Sequence, residues 1–82
     1  MELVNRDQIR GARAMLGWSQ QHLAAQAGVS LPSVKRLETG REQLSAHTST
    51  LAKVQNTLEK NGIVFIFKRQ LTGVGKRRRD EP

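Results

Sequence analysis

The 82-residue chain contains no cysteine. Neither a disulfide framework nor a thiolate zinc site can therefore staple its fold, and the lack fits a reducing compartment. No apolar run approaches the roughly 20 residues that a membrane helix needs, and the opening MELVNRDQIR does not read as a secretory leader. A cytoplasmic protein with no membrane partner is expected. Catalytic constellations are lacking too. His22 and His47 stand alone, no acidic pair or nucleophile with a base is readable, and no spaced histidine cluster suggests a metal. No enzymatic activity, no cofactor and no metal site are expected. Acidic residues are scarce: 7 Asp and Glu face 14 Lys and Arg, giving a net charge of +7 and an isoelectric point near 11.2. Such a balance favours a polyanionic partner. The length allows one domain, and chains of this size bury only about 60% of their unfolded surface. With 37% hydrophobic residues, association with a second copy would help.

What the chain does have is a well-punctuated stretch from Ser19 to Gly40, SQQHLAAQAGVSLPSVKRLETG. It reads as two short helices, Gln20 to Ala27 and Leu31 to Thr39, joined by Gly28-Val29-Ser30. Ser19 and Ser30 are N-caps, since a serine hydroxyl accepts from the orphan N–H groups of a first turn. Each cap follows an apolar residue placed to staple forward, Trp18 onto Leu23 and Val29 onto Val34. Gly28 and Gly40 sit just past each helix end, where a left-handed residue is usual. Pro32 falls in a first turn, where its missing N–H costs nothing. Leu23, Ala27, Val34 and Leu37 supply the apolar face, and Ala24 is small enough to let the helices cross closely. The second helix then offers Leu31, Pro32, Ser33, Lys35 and Arg36 outward, a cationic surface.

These residues resemble the helix-turn-helix of the phage Cro and repressor-type family, also called the xenobiotic-response-element family. The resemblance covers roughly residues 6 to 62 and rests on several independent positions, Ala24, Gly28, Val34 and Leu37 among them. It implies an all-α, four-helix repressor-like domain that binds double-stranded DNA. In such proteins the second helix of the motif enters the major groove with its N-terminal residues at base edges. By resemblance the base contacts are Leu31, Pro32 and Arg36. An arginine fork matches O6 and N7 of guanine, whereas Leu31 and Pro32 replace frequent glutamines and offer only apolar contacts, such as with a thymine methyl. Lys35 joins the base-contacting set. Gln20 stands where relatives hold a phosphate, with its N–H at a helix N-terminus, and Ser33, Thr39 and Arg41 are further phosphate candidates. Resemblance also implies an ion pair between Arg13 and Glu38.

The rest of the chain frames this motif. Asn5 opens a first helix, with Gln8 placed for a capping box and Val4 for a staple onto Ile9. Ile9, Ala12 and Leu16 form its buried face, and Gly17 ends it. A polar loop from Arg41 to His47, with Leu44 plugging it onto the core, leads to a helix from about Thr48 to Asn61. Leu51, Val54 and Leu58 stripe that helix and Gly62 stops it. Ile63-Val64-Phe65-Ile66-Phe67 is too short and too β-prone for another helix and reads as a strand. An unbroken apolar run suggests cover on both faces, so this strand is the expected dimerisation element. Residues 69–75 read as a loop, and Val74 to Arg78 as a returning second strand. Residues 68–82 hold six Lys and Arg against two Asp and Glu, over half of the excess charge. The Lys76 to Arg79 run is either a further DNA contact or a solubilising tail, and residues 79–82 are expected to be disordered.

The resulting expectation is an HTH domain over residues 1–62 with a β-strand or hairpin over 63–78. It would act as a homodimeric, sequence-specific regulator, a repressor on a palindromic operator, nucleoid-associated when bound. The alternative is an antitoxin that binds a toxin protein through its C-terminal segment and autoregulates its operon.

Overall fold

The first three helices begin where a side chain takes over an orphan N–H, and the first two stop where a glycine turns left-handed. In the computed structural model, which describes residues 4–39, 48–68 and 71–77, α1 spans Arg6–Leu16 behind an Asn5–Gln8 capping box closed in both directions. The second helix, α2 (Gln20–Ala27), follows Ser19, whose hydroxyl accepts from the His22 N–H at 3.0 Å. The third, α3 (Leu31–Thr39), follows Ser30, whose hydroxyl accepts from the Ser33 N–H at 3.2 Å. Gly17 and Gly28 close α1 and α2 with φ of 69° and 70°. The residue after each glycine donates back into the helix, Trp18 to Arg13 O and Val29 to Ala24 O, both at 3.0 Å. The two stops are therefore built alike, and both satisfy terminal carbonyls.

The fourth helix, α4, covers Thr48–Lys60 and leads through Gly62, at φ 93°, into a hairpin. The strands are β1 (Ile63–Lys68) and β2 (Leu71–Lys76), antiparallel, with Ile63 opposite Lys76 and Phe65 opposite Val74. One core serves all these elements. Ile9 and Ala12 of α1, Leu23 and Ala24 of α2, Val34 and Leu37 of α3, and Leu51, Val54 and Leu58 of α4 are buried together with Val4 and Ile63. No described helix is long and apolar enough to cross a membrane.

One expectation about the C-terminal segment needs correction. The second strand starts at Leu71, not Val74, so Gly73 and Gly75 lie within it rather than in a loop. Neither has a positive φ, and a strand accepts glycine at a cost in stability rather than in geometry. Within this chain the core covers one face of the hydrophobic run. Ile63 is buried and Phe65 and Phe67 pack against the core, whereas Val64 is 39% exposed and Ile66 only partly buried. The pleat gives alternate residues to opposite faces, and β2 of the same chain pairs one edge of β1. Leu44 and Asp80 to Pro82 lie outside the described residues.

The glycines give opposite expectations. Gly28→Ala meets open space but must hold φ 70°, so it loses about 1 kcal/mol, or about 4–8 °C of melting temperature in a domain this small. Gly75→Ala meets equally open space without a positive φ and gains about 0.4–1 kcal/mol. Thermal melts followed by circular dichroism check both signs.

Candidate nucleic-acid interface

On α3 the buried and exposed residues separate cleanly. Val34, Leu37 and Glu38 are buried, and Leu31 packs partly against the core. Pro32, Lys35, Arg36 and Thr39 are exposed. Their spacing of i, i+3, i+4 and i+7 puts them in one stripe along the helix. Two of the four are cations, and no described acidic side chain joins that stripe. The end of the stripe nearest the α3 N-terminus also carries the positive pole of the helix dipole. The arrangement offers a narrow cationic ridge to a polyanion.

The proposed contacts are not all equally available. Arg36 reaches toward Ser33, Nη2 to Oγ at 3.5 Å, while Ser33 and Ser30 share a hydroxyl–hydroxyl hydrogen bond of 2.8 Å. Leu31 is half-buried, so part of its side chain serves the core rather than a groove. The Thr39 hydroxyl donates to Lys35 O at 2.7 Å. A phosphate offers only acceptors, so Thr39 would have to give up that bond to reach one. The Gln20 amide donates to Glu38 Oε1 at 3.1 Å. The Gln20 backbone N–H is one of the first-turn donors that no helix carbonyl reaches. Arg41, Arg78 and Arg79 lie outside the described residues.

Behind the ridge, Glu38 ties three helices together. Arg13 of α1 grips its carboxylate with both arms of the fork, Nε to Oε2 at 2.8 Å and Nη2 to Oε1 at 2.9 Å. The third arm, Nη1, donates to Trp18 O at 3.0 Å, fixing the turn into α2. Glu38 is 1% exposed. The Arg13 guanidinium is held above its ordinary pKa, first by the hydrogen bond to Glu38 and then by that carboxylate's charge, against the opposing pull of burial. A raised cationic pKa contributes stability that disappears only as pH rises through the raised value. Arg13 thus stays charged throughout the working range.

Sequence reasoning missed Arg10 in this assembly. Its pairing with Asp7, three residues earlier, follows ordinary helix spacing. Its second bond, Nη1 to Glu38 O at 2.5 Å, does not, because it caps the last turn of a helix 28 residues away. His22 also has an unforeseen neighbour, since its ring meets Trp18 edge-on at 4.6 Å between centroids.

Comparison with known families places this architecture. A helix-turn-helix family model matches residues 9–60, well over half of the chain. The chain belongs to the Cro/repressor-type helix-turn-helix family and is a DNA-binding transcription regulator by class. Comparison with curated proteins returned no match.

Arg13→Ala leaves the Glu38 carboxylate buried beside a single neutral donor, Gln20. Removing one member of a buried pair costs about 3–5 kcal/mol, so denaturant titration of Arg13→Ala should show a loss in that range. Asp7→Ala, which removes only an exposed pair, should change stability by less than about 1 kcal/mol.

Proposed function

We propose that the protein is a homodimeric repressor that reads a palindromic operator with α3 in the major groove. The observation that carries this reading is the exposed stripe Pro32, Lys35, Arg36 and Thr39 on a helix whose opposite face is locked into the core. A groove-reading helix has to be rigid on one side and chemically free on the other. Arg36 is the principal base reader, bidentate to guanine. Lys35 reads an adjacent base, Pro32 and the exposed part of Leu31 make apolar contacts, and Ser33 with the Gln20 N–H holds phosphates. Bound over a promoter, the dimer blocks polymerase sterically.

The hairpin supports the second copy. Val64 and Ile66 alternate outward from the core-facing Ile63, Phe65 and Phe67, next to strand edges that still carry backbone donors and acceptors. A mate on this element presents two copies of α3 about 34 Å apart on one side of the duplex. The apolar, outward part of the strand is smaller than the whole of Ile63 to Phe67, and the dimer contact accordingly centres on Val64 and Ile66.

Selection of bound duplexes from a random pool tests the reading, with an inverted repeat as the expected product. Arg36→Ala should then lose about 1–3 kcal/mol of discrimination at one base pair per half-site while the fold is retained. Full discrimination by Arg36→Ala would remove α3 from the role of reader.

A further inference from the structure

Gln8 is 3% exposed, yet it is a polar side chain with every hydrogen-bonding group in use. Its Oε1 accepts from the Asn5 N–H at 2.9 Å, completing the capping box. Its Nε2 donates to Gly73 O at 2.8 Å and to Ile66 O at 3.3 Å. Those two residues stand directly opposite each other in the hairpin. One amide of α1 thus clamps both strands at the same rung. Three residues further along α1, a Cβ added to Gly11 would lie 3.0 Å from the Val74 Cγ1. The helix and β2 approach so closely there that an added methyl would be tighter than ordinary van der Waals contact, and the valine or the helix would have to give way.

The opposite face of α1, about 200° around the helix, holds the recognition helix. Arg10 donates to the Glu38 carbonyl and Arg13 grips the Glu38 carboxylate, both at the C-terminal end of α3. One short rigid rod is therefore fastened to the hairpin by Gln8 and Gly11 and to the reader by Arg10 and Arg13. The outermost of these anchors, Gln8 and Arg13, are five residues or about 7.5 Å apart along the helix axis. Turning an arm of that length by about 10° moves its far end by about 1.3 Å, and two-fold symmetry doubles this to about 2.6 Å, approaching one base-pair rise.

From this geometry we infer that Gln8 and Gly11 set the spacing between the two half-sites that the dimer accepts. They are positioning residues, acting through the tilt of α1 against the hairpin and not through contact with DNA. The inference rests on the hairpin-mediated dimer proposed above. Buried polar groups serve geometric uniqueness in some systems more than stability. A glutamine bonded to both strands fits that use, since a helix merely resting on apolar strand residues could rock.

The test uses the full chain and duplexes rebuilt from the wild-type selected site, with half-sites moved apart or together in single base-pair steps, alongside a duplex carrying one half-site. The wild type should favour one spacing over its neighbours by about tenfold. Gln8→Met keeps the volume and removes the clamp. It should flatten that preference to about threefold or less while single half-site affinity stays within about twofold. Gly11→Ala pushes α1 off Val74 and should move the preferred spacing by a base pair, and Gly11→Ala with Val74→Ala should move it back. That reversal keeps the inference testable if Gln8→Met fails to fold.

An unchanged spacing profile in Gly11→Ala, or in a folded Gln8→Met, would overturn the inference. So would single-site and paired-site affinities falling in parallel, which is the mark of general destabilisation. A wild type that selects only isolated half-sites would instead remove the dimer, and this inference with it. That result is distinguishable, because it appears before any variant is made.

Discussion

A carboxylate with 1% of its surface exposed cannot remain charged inside an 82-residue domain unless its surroundings replace water almost completely. Glu38 has that replacement. The Arg13 fork meets both oxygens, and the Gln20 amide meets one of them again. Because those donors come from α1 and α2, the requirement to satisfy one buried charge fixes three helices relative to one another. Apolar packing among Ile9, Leu23, Val34 and Leu37 brings these helices together, but hydrophobic contact is non-directional and tolerates sliding. A bidentate guanidinium–carboxylate pair does not tolerate it. The crossing of α2 and α3 is thus set by volume, and the rotation of α3 about its own axis by hydrogen-bond geometry.

That rotation decides what the protein presents. A turn of α3 by one residue, about 100°, would bring Lys35 or Arg36 toward the core and expose Leu37. The core resists such a turn by the burial of Val34 and Leu37, and the ion pair resists it by direction. Arg10 adds a third restraint by holding the Glu38 carbonyl, where the helix would otherwise fray. Nine residues are too few for a stable isolated helix. The α3 helix exists because its environment holds it, and α1 supplies much of that environment.

The legible parts of this molecule are those encoded within a few residues. Asn5 with Gln8, Ser19, Ser30, Gly17, Gly28 and Gly62 mark their helix ends locally, and the structure uses all of them. The stripe of α4 is equally local, with Leu51, Val54 and Leu58 fully buried. The hairpin was legible as a strand at Ile63 with a return, but the return was read three residues late, because glycine marks turns far more often than strands and Gly73 and Gly75 masked the start of β2. Gln8 shows the deeper limit. Its acceptor serves a residue three positions away and is readable as a capping box, whereas its donors reach residues 58 and 65 positions away. No periodicity or motif records a contact of that range. At the site, the positions of Lys35 and Arg36 follow from helical spacing, whereas the bonds from Thr39 and Gln20 into the protein depend on rotamers that composition does not reveal.

Burying Glu38 also has an electrostatic consequence for the surface. Lys35 stands three residues before it, a spacing at which an exposed glutamate would compete for the lysine and cancel charge on the reading face. Instead the negative charge is neutralised inward by Arg13, on the side of α3 away from the exposed stripe. A carboxylate is thereby kept off the exposed stripe, while the cations of Lys35 and Arg36 remain on it. An apolar residue at position 38 would also have kept the surface free of negative charge, but it would have given up the directional restraint on α3. A glutamate kept in solvent would have given up both. The buried pair is the arrangement among these that orients the helix while leaving its outer face free of negative charge, and orientation and charge sign are the two properties that a helix reading a polyanion needs at once.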